Sequence, residues 1–214
     1  GPAPGLSGVI LTHGHIGHYA GLMYLGREAM GAHRTPVYGM RRMLDFIRNH
    51  GPWAQLLSLE NIELRGLVDG EELRLNDRIS VRPFVVPHRG EYTETVGMVV
   101  SGPDRKVLYL PDIDRWERNP SPIESLLHEV DCAYIDGTFF DAYERPHRAR
   151  GETPHPTVAV SLERFAPLAA TVRSRIHFFH FNHSNPLLHP GSPARERVEA
   201  AGMNWAHRGM RFEL

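Results

Sequence analysis

Five apolar, strand-like runs each stop on a side chain that can bind a metal ion or move a proton, and this repetition constrains the fold more than any other feature. Residues 9–12 stop at His13, residues 79–86 run into Pro87-His88, and residues 106–110 into Pro111-Asp112. Residues 132–135 stop at Asp136, and residues 176–179 at His180. Apolar residues near helical spacing predict helices over 19–30, 41–50 (closed by Gly51-Pro52), 121–129, 156–169 and 193–201. Residues 36–38 and 210–213 read as short strands, and residues 95–101 and 106–110 as a hairpin around Gly102-Pro103-Asp104. Strands alternating with helices predict an α/β domain, and in α/β folds ligand sites gather where strands end. The Pro- and Arg-rich stretch 145–156 is the expected mobile loop.

Composition narrows the class. With 214 residues, 41% hydrophobic and 23% charged, the chain reads as one soluble globular domain over 1–214. No apolar run approaches the ~20 residues of a membrane helix. A net charge of −1 gives no electrostatic case for nucleic acid, so a small-molecule substrate is expected, and a homodimer is left open. The single cysteine, Cys132, rules out an internal disulfide; with no secretory signal at the start, it suits a cytoplasmic location.

The abnormal number is 14 histidines, so their positions must decide whether they matter. His13-Gly-His15-Ile-Gly-His18 puts three imidazoles into one strand-to-helix turn. Alternate residues of an extended segment project to one side, so His13 and His15 can grip one ion, while His18 can face a neighbouring position. A surface loop that is histidine-rich by accident is the bland alternative; three in six residues between an apolar strand and an apolar helix argue against it. His88 has the alternative of an idle strand-end residue. Asp112 has a rival in Asp114, and His180 has rivals in His177 and His183. Asp112 is preferred because it follows the apolar run directly, and His180 is preferred as ligand with His183 as a nearby supporting group. The scattered histidines 33, 50, 128, 147, 189 and 207 read as surface residues.

The segment Leu11-Thr-His-Gly-His-Ile-Gly-His-Tyr-Ala-Gly-Leu22 resembles the His-x-His-x-Asp-His signature of the metallo-β-lactamase superfamily. The later landmarks arrive in that family's order, so the resemblance spans nearly the whole chain and implies an αβ/βα four-layer sandwich. It also implies that His88 completes a first metal site with His13 and His15. Asp112 and His180 would then form a second site with His18. Asp136-Gly-Thr-Phe139 and His155-Pro-Thr157 are similar to the tRNase Z and phosphodiesterase branch, where a carboxylate orients a histidine that protonates the leaving group. Tyr134-Ile-Asp-Gly-Thr-Phe139 and Phe181-Asn-His-Ser-Asn-Pro-Leu187 are most like the pyrroloquinoline-quinone (PQQ) biosynthesis protein B group. Two departures stand out. Gly17 occupies the place of the signature's aspartate, and the motif begins at residue 13, so the family's first strands are expected to be lacking.

Three imidazoles and a water suit tetrahedral zinc, whereas two histidines and one carboxylate suit non-haem iron(II). The expected cofactor is therefore one or two divalent ions, zinc first, with iron or manganese open. A hydrolase attacking a phosphodiester or ester with metal-activated water is the leading reading, with Asp136, His155 and His183 assisting. An iron-dependent oxygenase of PQQ-type cofactor biosynthesis is the second. A scaffold that has lost its metals is the third, with Gly17 the one feature in its favour.

Overall fold

The computed structural model describes residues 5–144 and 154–214. Most of the expected mobile loop, residues 145–153, therefore lies outside the described residues. The chain divides into two compact units: Gly1–Glu71 with Pro83–Val85 and Gly90–Val96, and Glu72–Arg82 with Val86–Arg89 and Gly97–Leu214.

In the first unit β1 (Val9–Ile10), β2 (Thr35–Gly39) and β3 (Ile62–Gly66) form a parallel sheet in that order. Parallel strands need crossovers. Between β2 and β3 these are α1 (Arg41–Asn49) and α2 (Gly51–Ser58). α1 turns Met43, Leu44 and Ile47 inward at helical spacing, and Met43 and Ile47 join Leu11, Leu22, Leu25, Val37, Leu56 and Ile62 in one apolar core. Each such side chain contributes about 1.5–3 kcal/mol by leaving water.

One expectation fails here for an identifiable reason. The helix expected over 19–30 is instead a 3-10 turn at Ala20–Leu25, preceded by another at Ile16–His18. Glycines at 17, 21, 26 and 31 interrupt the segment, and glycine is a poor α-helix former. α1 ends at Asn49, before Gly51-Pro52 as expected, but the same pair at once starts α2, which carried no expectation, because the first turn of a helix does not use the N–H that proline lacks.

The second sheet has seven strands: β4 (Leu73–Arg74), β5 (Ser80–Val86), β6 (Thr95–Ser101), β7 (Lys106–Leu110), β8 (Cys132–Asp136), β9 (Ile176–Phe179) and β10 (Asn204–Trp205), in the order β10-β9-β8-β7-β6-β5-β4. β6 and β7 form the expected antiparallel hairpin, with Met98 opposite Tyr109. β7, β8, β9 and β10 are parallel, in register through Leu110, Ile135 and Phe178. The crossovers carry α3 (Ile123–Glu129), α4 (Val158–Phe165) with α5 (Ala170–Arg173), and α6 (Pro193–Ala200). Leu108, Leu110, Ile135, Ile176 and Phe178 are fully buried, as are Trp116 and Phe165. The Trp116 indole N–H donates to Ser161 Oγ at 2.9 Å, so its burial leaves no polar group unsatisfied.

α4 is shorter than the expected 156–169 helix and starts only after Thr157, whose side chain accepts from the Val160 N–H. The closing strand is Asn204–Trp205 rather than 210–213, and β3 and β4 carried no expectation. Because β7, β8 and β9 run parallel, their C-terminal ends deliver Asp112, Asp136 and His180 from one sheet edge.

Candidate functional site

In the first unit the histidine motif leaves β1 as an extended segment. His13 is buried, and its Nε2 lies 2.8 Å from His15 Nδ1. The His13 ring is 4.6 Å, edge-on, from that of His15 and 4.2 Å from that of His18. His15 Nε2 lies 3.1 Å from Glu91 Oε1. An ionised carboxylate only accepts, so His15 carries its proton on Nε2 and presents the Nδ1 lone pair towards His13. The loop holding Glu91 is itself anchored. Thr93 Oγ accepts from the Gly14 N–H at 2.7 Å, Glu94 accepts from the Arg42 N–H at the start of α1, and Arg42 donates to the Gly90 carbonyl. A side chain at residue 14 would meet Thr93 Cγ2 at 2.8 Å, which explains the glycine between the two histidines. A Cβ at Gly17 would meet nothing within 4 Å.

In the second unit Asp112, buried after β7, is the centre of a second cluster. His88 Nε2 and His155 Nδ1 each lie 3.6 Å from its Oδ1, and His180 Nε2 lies 3.6 Å from its Oδ2. These separations are too long for hydrogen bonds; those from His88 Nε2 and His180 Nε2 suit donors that share one ion, while His155 Nδ1 is turned to Asp136. His88, Asp112 and His155 each offer a ligand atom within 4.8 Å of the others. His88 Nδ1 lies 3.1 Å from Asp114 Oδ1, close enough for an ion pair but without hydrogen-bond geometry, while its Nε2 faces Asp112. The rival carboxylates therefore both take part, in different positions.

Asp136, at the end of β8, is fully buried and fully bonded. Its Oδ1 accepts from the Thr138 N–H and hydroxyl, and its Oδ2 accepts from the Ile113 N–H and from His155 Nδ1 at 2.8 Å. His180, at the end of β9, adopts φ +62°, a left-handed conformation that costs a non-glycine residue about 1–3 kcal/mol. Its Nδ1 lies 3.0 Å from Thr138 Oγ. His183 is exposed, and among the hydrogen bonds of the described residues none joins it to this cluster.

The electrostatics follow from burial and from like charges. Burial, then the charge of Asp136, pushes the Asp112 carboxyl up to about 7. Burial pulls His155 down, but the Asp136 charge and hydrogen bond and the Asp112 charge together outweigh it, so His155 sits above the usual histidine range. Burial, helped by His155, holds His180 below that range, in the neutral form a metal ligand needs. A buried carboxyl that stays protonated near neutrality, ringed by oriented imidazole nitrogens, fits a divalent cation as its missing countercharge.

Sequence reasoning missed Glu91, Thr93, Thr138 and Asn185, and weighed Asp114 only as a rival to Asp112. None has a spacing signature; the only available signals were the carboxylate two residues after Asp112 and the threonine two after Asp136.

Residues 2–181 match the beta-lactamase superfamily domain. The chain is 28% identical to coenzyme PQQ synthesis protein B of Methylobacterium radiotolerans, over 96% of this chain and 72% of the relative. Its backbone resembles the zinc-bound PqqB of Methylobacterium extorquens with a TM-score of 0.80 at 20% identity, covering 100% of this chain and 77% of that one. It also resembles a diphosphatase of the PhnP family with a TM-score of 0.62 at 20% identity, covering 95% and 69%.

Proposed function

This chain belongs to the beta-lactamase superfamily and has the metallo-β-lactamase fold, and from that premise we propose that it is a metal-dependent hydrolase of a small phosphodiester or ester. The ligands proposed are His13, His15, His18, His88, Asp112 and His180. One or two divalent ions are proposed, with zinc first, as in the zinc-bound PqqB. When bound, such an ion supplies Lewis acidity and lowers the pKa of a coordinated water to about 7.

The observation that carries the reading is the Asp136–His155 pair. Asp136 accepts from His155 Nδ1 at 2.8 Å, and the two flanking carboxylates raise the histidine's proton affinity. With Nδ1 occupied, Nε2 is the atom of His155 that can give a proton to a leaving oxygen. Asp136, held in place by the four hydrogen bonds it accepts, orients the His155 imidazole. Asp112 and the imidazoles hold the cation and keep the reacting centre oriented.

The test is His155→Gln with two phosphodiesters, one with a nitrophenol and one with an alkyl alcohol as leaving group. A proton donor matters more to the poorer leaving group. Turnover of the alkyl substrate should fall about 10²–10⁴-fold and that of the nitrophenyl substrate much less, with metal content unchanged. Equal losses on both substrates, or loss of metal, would remove His155 from this role.

A second reading draws on the resemblance, over almost the whole chain, to coenzyme PQQ synthesis protein B. In it the chain is an iron-dependent oxygenase in the formation of such a cofactor. His18, Asp112 and His180 supply the two imidazoles and one carboxylate that suit iron(II). Iron content with substrate-dependent oxygen uptake supports this reading; zinc or manganese with phosphodiester turnover supports the hydrolase.

A further inference from the structure

The Thr138 hydroxyl has one proton and three polar neighbours. Asp136 Oδ1 lies at 2.7 Å, His180 Nδ1 at 3.0 Å and His155 Nδ1 at 3.3 Å. Asp136 can only accept, so the hydroxyl proton goes to Oδ1. His155 directs its own Nδ1 proton to the nearer Asp136 Oδ2. The contact left to His180 is therefore one in which Nδ1–H donates to Thr138 Oγ. That places the His180 lone pair on Nε2, the atom 3.6 Å from Asp112 Oδ2.

The backbone holds this contact in register. Gly137 N–H donates to the Phe179 carbonyl and Asn182 N–H to the Thr138 carbonyl, so the 137–138 segment brackets the left-handed His180 on both sides. Asn185 Nδ2, fully buried, donates to the carbonyls of Gly137 and Thr138 and ties the same two residues to the loop beyond.

We infer that Thr138 is a positioning residue that locks His180 in its Nδ1–H tautomer and thereby makes Nε2 the ligating atom. Asp136 then governs two histidines, His155 directly and His180 through the threonine hydroxyl. The inference rests on the reading of His180 as a metal ligand; a threonine that merely completes the turn after β8 would not set a tautomer.

The experiment compares the wild type, Thr138→Val and Thr138→Ser. In metal-free protein with labelled histidines, nitrogen NMR reads the His180 tautomer without any metal. Wild type and the serine variant should show Nδ1–H, and the valine variant, equal in volume but without a hydroxyl, should show a mixture with Nε2–H. In zinc titrations followed by calorimetry, the valine variant should bind about 10–100-fold more weakly at the position His180 serves, and serine should restore binding. A valine variant that keeps Nδ1–H and binds zinc like the wild type overturns the inference. His180→Ala separates the two failures. Unchanged zinc binding there defeats His180 as a ligand, while the NMR result still decides what Thr138 does.

Discussion

At the scale of single residues, Asp112 is where folding and the proposed metal binding would compete. Its buried carboxyl is raised to about 7, so the fold favours the neutral form. Such a group contributes stability below its unfolded pKa, near 4, and loses that contribution as pH rises through about 7. Asp112→Asn imitates the protonated state at every pH. Metal-free Asp112→Asn protein should therefore melt close to the wild type at pH 4 and above it at pH 8.5. Adding zinc should reverse the order at pH 8.5, because only the carboxylate balances the ion's charge. Melting curves at two pH values with and without zinc check all three statements. A wild type that outlasts the variant without metal at pH 8.5 would show that the carboxylate is not strained there. The same competition predicts that zinc affinity falls as pH drops below about 7, when the ion must displace the Asp112 proton.

At the scale of elements, the parallel ends of β8 and β9 act as one platform. Gly137 sits between them where a Cβ would meet Phe178 Cβ at 2.9 Å and the Phe179 carbonyl at 3.0 Å. Gly137→Ala must push the strand ends apart and disturb the bonds that bracket His180. We expect a loss of about 1–3 kcal/mol in denaturant unfolding, together with weaker metal binding. A stable variant with reduced metal binding would place the effect at the platform edge alone, and a variant like wild type in both would disprove the close approach.

The platform was largely legible in the sequence. Apolar runs ending abruptly at Asp136 and His180 gave β8 and β9 almost to the residue, because strands buried in a parallel sheet are short and continuously apolar. The glycine-rich stretch after His18 misled because its apolar residues keep helical spacing while its backbone does not. β10 escaped because two residues carry no period. In the site, the histidines and Asp112 stood out by position. Thr138 and Glu91 did not, since a hydrogen bond to a histidine's far nitrogen leaves no mark on spacing.

At the scale of the whole molecule, the proposed ligand inventory would set how many ions the chain holds and how much they stabilise it. An ion that binds the folded chain at 100 times its Kd adds about 2.7 kcal/mol, so chelation should lower the melting temperature by roughly 5–10 °C for a protein of this size. Gly17 makes this a test of stoichiometry. In the superfamily signature its place belongs to an aspartate, and without it the proposed second position keeps two imidazoles and Asp112. A side chain at residue 17 would enter open space, and Gly17 has no positive φ, so Gly17→Asp adds a charge without straining the backbone. Bound metal per chain at limiting zinc should rise, and the chelator-induced drop in melting temperature should widen beyond that of the wild type. Gly17→Ser, which adds volume without a strong ligand, should leave both at the wild-type value. If the aspartate variant gains neither zinc nor stability, residue 17 faces away from the ions. The second position would then be complete as built, with the two imidazoles and one carboxylate that iron(II) prefers.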